Sequence, residues 1–571
     1  MKKIFYKLIL MVVAVTTCSA IFSSCKDEVL LSATRLFRPI IISDNIVAGL
    51  TVDTVPFIKL KWDKYADANQ YVVQIIASDG KDSATITTDS VSCEFLNLKF
   101  DKEYNIKIHS VNTINKMESR VFVTNVTTPD FPTQLANVST SNIIDTQARI
   151  SWNTTENGKS TIFDSLKVYK VSNDSLVVRA KVATDELTSG QKIIRKLQPT
   201  TNYRVEAYHN GKYKGKKLFT TASPESYDGL VVDLRGLTPD DSYKYFSVAT
   251  GSLYANSVDS IVKANPDQKI TFVLQGGITY RMPTLVVPST AGTIKFVTGL
   301  SLNGKASFAV SGNFDAAAST VIGGLEFQKI FFTDAPLEGK GRGTGDLNFG
   351  GTYLFNFSGP SSNIKSIKIS DCSVKYKRGI LRCKDAATID AFTIDNSIID
   401  SIGGYGIVTA DFANAKITNI TITNSTLSSC QSFLGGTKQA ANPINSIDIE
   451  NNTFVYCIAN GKNIFDYSGC TVASFVLKNC VFGFGGRYPG DTSFTTGVKG
   501  WSGSVTPMAD GCYFTSDYLW VLGATGIPTA QIAGTTLTTN TAQTFEDPTK
   551  SNFKVTSADL KKVKAGDPRW Y

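Results

Sequence analysis

Charged and polar residues, with one glycine among them, recur at nearly regular intervals in the C-terminal half of the 571-residue chain. The series is Asn356, Arg382, Thr409, Gly435 and Asp466, with Lys384 and Asp411 two residues beyond its second and third members. Arginine and lysine form charge-assisted hydrogen bonds with carboxylates. If a repeated fold stacks these positions, they predict a face that binds an acidic, pectin-like polysaccharide.

Aromatic and basic side chains accompany this series. They are Tyr376, Lys377, Arg378, Tyr405, Tyr467 and, in the glycine-rich stretch 486–511, Trp501. The aromatic rings among them would stack on sugar rings, because an aromatic side chain offers a large apolar face. The alternative that the residues leave open is the solvated surface of a soluble protein.

The same residues match a catalytic site less well. A polysaccharide lyase that acts on uronic acids needs a base, for which Arg382 is the candidate, and often Ca²⁺ held by carboxylates. Asp411 and Asp466 would be the calcium ligands, but they lie two repeats apart, roughly 10 Å at strand spacing. A glycosidase needs a pair of carboxylates at a set separation. We therefore assign no catalytic residue, cofactor or metal ligand, and keep a calcium-dependent lyase as the alternative.

An internal repeat predicts the elements that position these residues. Its copies begin at Ile364, Ile389, Ile417, Ile444 and Val472, at spacings of 25, 28, 27 and 28 residues. Each copy has apolar residues at offsets 0, 3, 5 and 10 and Asp or Asn at offset 7, which predicts a strand, a left-handed turn and a second strand. Such units bury their apolar faces only by stacking. We expect a parallel β-helix with a ladder of Asp and Asn side chains, in which the polar series lies on a third strand of each coil.

Two cysteines lie at equivalent positions in neighbouring copies, Cys430 and Cys457. Strands in a sheet are about 4.8 Å apart, which is close enough for a disulfide. Stacked, buried thiols are the other interpretation, and the one that we favour.

The N-terminal half consists of short alternating apolar and polar runs, typical of strands with one buried face. Each of two copies has an early tryptophan, Trp62 or Trp152, and a later tyrosine that opens a strand, Tyr104 or Tyr203. This pattern resembles fibronectin type III domains, in which the tyrosine hydroxyl fixes a corner between strands. The resemblance implies two fibronectin type III-like β-sandwiches that serve as spacers, with both tryptophans in the core. Their predicted limits are 36–128 and 132–222.

The first residues predict a processing segment. A basic start and a short apolar run lead to Phe22-Ser23-Ser24-Cys25, the order of a signal peptide. The last of these residues resemble a lipobox, which implies a signal peptide over 1–24 and a lipidated Cys25. Lys26-Asp27-Glu28 resembles the export signal of Bacteroidota lipoproteins that reach the outer face of the outer membrane. We expect a lipidated tether over 25–35 at the cell surface.

The chain ends in an Asn-Phe strand at 552–555, a short helical stretch and Gly566-Asp567-Pro568-Arg569-Trp570. This ending resembles that of uncharacterised Bacteroidota β-helix domains, which are pectate-lyase-like in fold and often follow fibronectin modules on lipoproteins. The resemblance implies a right-handed parallel β-helix over 225–571. It also implies a role in polysaccharide utilisation beside an outer-membrane glycan importer.

Composition narrows the class of partner. The net charge of +9 is dispersed and includes signal-peptide lysines, which argues against nucleic acid. Charged residues make up only 19% of the chain, as in many all-β extracellular proteins. The sequence thus predicts an all-β surface lipoprotein that binds polysaccharide without cleaving it. The alternatives are a lyase, or an adhesin or scaffold that binds protein through an exposed apolar patch.

Overall fold

The computed structural model describes residues 35–156, 159–160, 163–235, 255–282, 284–287, 290–333, 349, 351–528 and 530–571. The predicted signal peptide, Cys25 and most of the tether lie outside these residues. The structure is nearly all β, with 7% helix. It divides into two compact units, of which the first holds most of two β-sandwiches and the second holds a parallel β-solenoid.

The first sandwich packs a three-stranded sheet on a five-stranded sheet. The three strands are Ile46–Leu50, Pro56–Lys61 and Ser92–Phe95. The five strands are Gln70–Ala77, Ser83–Thr88, Glu103–Asn112, Met117–Glu118 and Phe122–Thr127. Trp62 is 2% exposed, as predicted for a core residue. The backbone N–H of Lys99 donates to the Tyr104 hydroxyl at 3.1 Å, so this tyrosine fixes a corner as the fibronectin resemblance implies.

The second sandwich has the same layout. One side pairs Ala148–Ser151 with Gln191–Ile194, and the other sheet contains Ser165–Lys170, Ser175–Lys181, Asn202–His209 and Lys212–Thr220. A small hairpin joins Thr155–Glu156 to Lys159–Ser160. Trp152 is 5% exposed and its ring lies 5.7 Å from that of Phe163, so it too is a core residue.

Aromatic contacts join the two sandwiches. The rings of Phe100 and Phe131 are 5.4 Å apart, and Tyr213 lies 5.5 Å from Phe100. The Tyr213 hydroxyl also donates to Asp130 at 2.8 Å. The junction therefore combines half-buried rings with a hydrogen-bonded polar group, and the spacer role stays a prediction.

The solenoid has about eight turns and two large sheets whose strands pair in parallel. The regular sheet contains Leu230–Asp233, Ile270–Leu274, Ala291–Thr298, Val321–Gln328, Asn363–Ile364, Ile367–Ser370, Thr388–Asp395, Lys416–Thr423, Ile444–Glu450, Val472–Lys478 and Met508–Asp510. The second sheet branches. One branch contains Thr279–Met282, Ala306–Val310, Ile330–Thr333, Ser373–Cys383, Ile398–Ala410, Thr426–Cys430, Thr453–Cys457, Val481–Phe482, Tyr513–Phe514 and Thr535–Thr536.

The other branch is the predicted series of third strands, which we call the third-strand column. It contains Leu285–Val287, Phe314–Ala316, Tyr353–Phe357, the ends of Ser373–Cys383 and Ile398–Ala410, Leu434–Thr437, Asn463–Asp466 and Lys499–Ser502. The two long strands belong to both branches because each turns a corner partway along. The column therefore runs along the solenoid as a continuous face.

The predicted turn residues have left-handed backbone angles, with φ between 46° and 56°. They are Asp371, Asn396, Asn424, Asn451 and Asn479. Their ladder is only partly as predicted. Asn479 donates to Asn451 at 3.3 Å, and Asn451 donates to Asn424 at 3.1 Å. Asn424 donates instead to Asp395 at 3.0 Å, because the carboxylate is the stronger acceptor at that step.

The C-terminal motif folds back across the second sheet, and we call Gly566–Trp570 the C-terminal clasp. Its Asp567 is fully buried and accepts hydrogen bonds from Thr426 Oγ1 at 2.7 Å and from Arg569 Nε at 3.1 Å. The backbone N–H of Asp567 donates to Thr453 Oγ1, and Trp570 Nε1 donates to Thr426. The clasp thus covers polar side chains that the solenoid strands cannot satisfy themselves.

Short elements complete the fold. The helix Ala255–Ala264 places Val258 and Val262 in the solenoid core. Other helices in the described residues are Thr184–Ser189, Thr541–Thr544 and Ala558–Val563. Two further strands are Phe545–Asp547 and Asn552–Val555, and 3₁₀ turns occupy Ser43–Asn45, Thr140–Asn142, Pro548–Lys550 and Pro568–Trp570. Cys430 and Cys457 pair in register as buried free thiols, which is the second of the two predicted alternatives.

Candidate functional site

The register of the third-strand column agrees with the predicted polar series. Asn356 pairs with Arg382, which pairs in turn with Thr409. Gly435 pairs with Asp466. The pairing shifts by one residue where the strand of Thr409 meets the strand of Gly435. Since paired strands are about 4.8 Å apart, the series forms a row along one face.

Five residues at one end of this row form what we call the arginine–tyrosine cluster: Tyr353, Arg378, Arg382, Tyr405 and Asp411. The two tyrosine rings are 5.3 Å apart and nearly perpendicular. Arg378 Cζ lies 4.1 Å from the centre of the Tyr405 ring, and Arg382 Cζ lies 5.5 Å from that of Tyr353. A cation over an aromatic face is attracted by about 0.5–1 kcal/mol at an exposed site. The cluster therefore combines positive charge with aromatic faces.

A glycine makes this packing possible. Gly379 pairs with Tyr353 on one side and with Gly406 on the other. A Cβ atom at Gly379 would lie 2.8 Å from Tyr353 Cε1 and 3.1 Å from Tyr405 Cβ. The absence of a side chain between the two tyrosines lets their rings approach each other over the strand.

Arg382 and Asp411 form the ion pair of the cluster. Arg382 Nε donates to Asp411 Oδ2 at 3.0 Å, and Nη2 donates to the same oxygen. Partial burial lowers the pKa of Arg382, but the hydrogen bond and charge of Asp411 outweigh it and raise that pKa above its usual value. Burial also raises the pKa of Tyr353 well above its usual range. At physiological pH the guanidinium is charged and the Tyr353 hydroxyl is protonated.

Four buried polar atoms around the cluster have no hydrogen-bond partner among the described residues. They are Tyr353 Oη, Asn356 Oδ1, Arg378 Nε and Asp411 Oδ1. Buried polar atoms in native proteins are nearly always paired with protein, water or ligand. Their concentration in one part of the column marks a site with unused hydrogen-bonding capacity.

A polar cavity of about 420 Å³ lies further along the same column. Its lining includes Gly404, Gln431, Ser432, Leu434, Ala459, Gly461, Lys462, Asn463, Asp466 and Lys499. We call it the lysine-flanked cavity because Lys462 and Lys499 are the two cations among the described residues of its lining, and both are exposed. Gly404 belongs to the same strand as Tyr405, so the cluster and the cavity are neighbours on one face.

Two predicted site residues are buried. Lys377 is fully buried, and its ammonium group donates to Val310 O at 3.0 Å and to Thr352 Oγ1 at 2.6 Å. It turns inward because Tyr376 has a φ of 58° and the register shifts just after Lys377. Tyr467 is also fully buried, and its hydroxyl donates to Val505 O. Neither side chain is available to a ligand on the outer face.

The other predicted residues lie in different surroundings. Trp501 is half-buried and its ring stacks on Tyr467 at 6.4 Å. Its strand pairs with the column and turns the ring toward the core. Tyr376 contacts Phe349 at 5.5 Å, and Lys384 Nζ lies 5.8 Å from the Phe412 ring.

Three residues of this face were missed by the sequence prediction: Tyr353, Lys462 and Lys499. Tyr353 is the first residue of its strand, two residues before the buried Phe355. Its ring has space because its strand register places it beside Gly379, which in turn pairs with Gly406, and the sequence does not show this register. Lys499 lies in the glycine-rich stretch 486–511, and it pairs with Asn463.

No cluster of three or more His, Cys, Asp or Glu side chains suited to a metal ion occurs within the described parts of the chain. Asp411 is paired with Arg382, and Asp466 Oδ1 accepts hydrogen bonds from the N–H and hydroxyl of Ser468. Calcium binding therefore stays a prediction. None of the helices in the described ranges has the length and apolarity to cross a membrane.

Comparison with known proteins identifies two domain families of unknown function. Residues 279–430 match "Domain of unknown function (DUF4957)", and residues 447–570 match "Domain of unknown function (DUF5123)". No curated protein matches the chain.

Solved structures similar to this chain include fibronectin type III segments. A two-domain segment of chicken tenascin is 16% identical, with a TM-score of 0.17, over 32% of this chain and 100% of that chain. The FN1–FN3 domains of chicken CNTN1 are 14% identical, with a TM-score of 0.14, over 31% of this chain and 66% of that chain.

Proposed function

We propose that this chain is a lipoprotein that binds an acidic, pectin-like polysaccharide without cleaving it. In this proposal a lipid on Cys25 anchors it to the outer face of the outer membrane, beside a glycan importer. The observation that carries the proposal is the arginine–tyrosine cluster on a continuous face of the solenoid. An extended polymer needs an extended face, and the third-strand column provides one.

The chemistry of the cluster suits a uronic-acid chain. Arg378 and Arg382 supply fixed positive charge, and guanidinium groups pair with carboxylates in a planar, bidentate geometry. Tyr405 is half-buried, so part of its ring remains available to a sugar ring. The unpartnered atoms of Tyr353, Asn356 and Asp411 would bond sugar hydroxyl groups once side chains rearrange around a ligand.

A catalytic role for Arg382 is opposed by its own surroundings. A base must lose its proton before it takes one from the sugar. The ion pair with Asp411 stabilises the protonated form and raises the pKa of Arg382. Arg382 is therefore better suited to binding a carboxylate than to removing a proton.

Affinity gel electrophoresis with the chain from Lys26 onward tests the proposal. The gels would contain polygalacturonate or neutral polysaccharides, with and without calcium, and absorbance near 235 nm would report lyase products. We expect retardation by polygalacturonate without new absorbance. Arg382→Ala should weaken binding about tenfold, equivalent to ~1.4 kcal/mol.

The matched control is Arg179→Ala, because Arg179 is an exposed arginine on the second sandwich. It should bind as wild type does. New absorbance at 235 nm would replace the proposal with a lyase. Absence of both retardation and absorbance would favour a protein-binding adhesin.

A further inference from the structure

We infer that the lysine-flanked cavity is a second subsite, which holds one uronic-acid residue of the polymer by its carboxylate. This inference rests on the proposed function, since it assumes that the ligand is an acidic glycan. It goes beyond the arginine–tyrosine cluster because it concerns different residues, further along the column.

The two lysines that flank the cavity lie on neighbouring positions of adjacent segments. The backbone N–H of Lys499 donates to Lys462 O at 2.9 Å, and Lys499 pairs in register with Asn463. Neither ammonium group has a carboxylate partner within the described parts of the chain. Because the backbones of the two lysines are hydrogen-bonded neighbours that both line the cavity, an anion in the cavity would be attracted by both ammonium groups.

Asp466 is the one acidic residue that the described part of the lining contains, and it does not cancel the charge of the two lysines. Asp466 Oδ1 accepts hydrogen bonds from the Ser468 N–H at 3.1 Å and from the Ser468 hydroxyl at 2.7 Å. Two ammonium groups and one carboxylate leave the cavity with a net positive charge. A carboxylate is attracted to such a site, whereas a neutral sugar is not.

The segment that leads to the lining residues Gly461 and Lys462 is held by hydrogen bonds to a neighbouring segment. Asn460 Oδ1 accepts hydrogen bonds from the backbone N–H groups of Thr495, Thr496 and Gly497, at 3.1, 2.8 and 3.2 Å. The Gly461 N–H donates to Gly497 O at 2.8 Å. A segment fixed by these four hydrogen bonds loses little conformational entropy when a ligand binds beside it.

The size and polar lining suit a single sugar residue. The volume of about 420 Å³ lies within the ~300–1,000 Å³ that is usual for small-ligand sites. Ser432 and Asn463 are among the lining residues, and their hydroxyl and amide groups are of a kind that bonds sugar hydroxyl groups. The lysines would hold the carboxylate, and the wall would hold the ring.

The test compares polygalacturonate with carboxyl-reduced polygalacturonate, a neutral polymer with the same linkages, by affinity gel electrophoresis of the chain from Lys26 onward. The variant is Lys462→Met with Lys499→Met. The control is Lys561→Met with Lys562→Met, which removes the same charge from two exposed lysines of the last helix. We expect the cavity variant to lose about tenfold in affinity for the acidic polymer, while the control binds as wild type does.

Three results would overturn the inference, and they differ in what else they overturn. Equal loss in both double variants would show that only overall charge matters. Wild-type affinity in the cavity variant, with Arg382→Ala still weakened, would remove the subsite but leave the proposed function intact. Failure of wild-type protein to bind either polymer would overturn both.

Discussion

Removal of the Asp567 carboxylate should release the C-terminal clasp. Asp567→Ala removes the carboxylate that accepts hydrogen bonds from Thr426 Oγ1 and Arg569 Nε. Breaking a buried ion pair costs about 3–5 kcal/mol. Burial raises the pKa of Asp567 despite these partners, so the cost of desolvating the carboxylate already offsets part of the stabilisation from its hydrogen bonds and ion pair. The Arg569 side chain is 21% exposed, so water can solvate its guanidinium group once the carboxylate is removed. We therefore expect a destabilisation at the lower end of that range, about 3 kcal/mol.

Hydrogen exchange measured by mass spectrometry would detect this loss locally, which suits a chain with several cooperative units. The amides to follow are those of Gly566, which donates to Asn479 O at 2.6 Å, and of Asp567, which donates to Thr453 Oγ1 at 3.0 Å. A loss of about 3 kcal/mol in opening free energy should speed their exchange about a hundredfold.

The matched control is Asp559→Ala, because Asp559 is an exposed aspartate in the neighbouring helix. It should leave the exchange of the clasp amides unchanged. The reasoning would be refuted if Asp567→Ala exchanged within about threefold of wild type, a difference of only ~0.6 kcal/mol. The clasp would then be held by packing rather than by its carboxylate.

Three further predictions concern the solenoid. Asn451→Ala should cost about 2 kcal/mol in urea unfolding, from two ladder bonds and a left-handed φ of 56°, and Asn451→Gly should cost less because glycine tolerates that angle. Burial raises the pKa of the Cys430 thiol, so iodoacetamide should label Cys430 and Cys457 only after unfolding; a mass shift that requires reductant would contradict free thiols. Burial raises the pKa of Asp491, but hydrogen bonds from Arg487 outweigh it and hold that pKa well below its usual range. Its stabilisation is therefore present above the unfolded pKa of about 3.9 and is lost as pH falls toward the lower folded value, so Asp491→Asn should flatten thermal stability against pH below about 4.

The repeat period made the solenoid predictable. Each repeat has apolar side chains at fixed offsets and an Asp or Asn at its turn. Parallel stacking of the repeats buries the apolar side chains and lets the turn residues form hydrogen bonds. The tryptophans of the sandwiches were predictable for a similar reason, because a large ring in an alternating strand is buried. Register was harder to predict where the chain turns a corner. Alternation alone put Lys377 on the surface, but the left-handed angle at Tyr376 turns its ammonium group into the core.

The candidate site was predictable in part. The row through Asn356, Arg382 and Thr409 follows directly from the repeat spacing. The arginine–tyrosine cluster does not, because the ion pair of Arg382 with Asp411 depends on side-chain direction. The lysine-flanked cavity depends on a loop between coils, whose path no periodic pattern specifies.

Hydroxyl-radical footprinting with and without polygalacturonate tests most directly whether the third-strand column binds glycan. Tyr405 reports the column, and Met508 reports the regular sheet on another side of the solenoid, where it is 64% exposed. Our account predicts that saturating polygalacturonate protects Tyr405 from oxidation and leaves Met508 unchanged. Protection of Met508 with unchanged oxidation of Tyr405 would show that glycan binds elsewhere and would contradict the account.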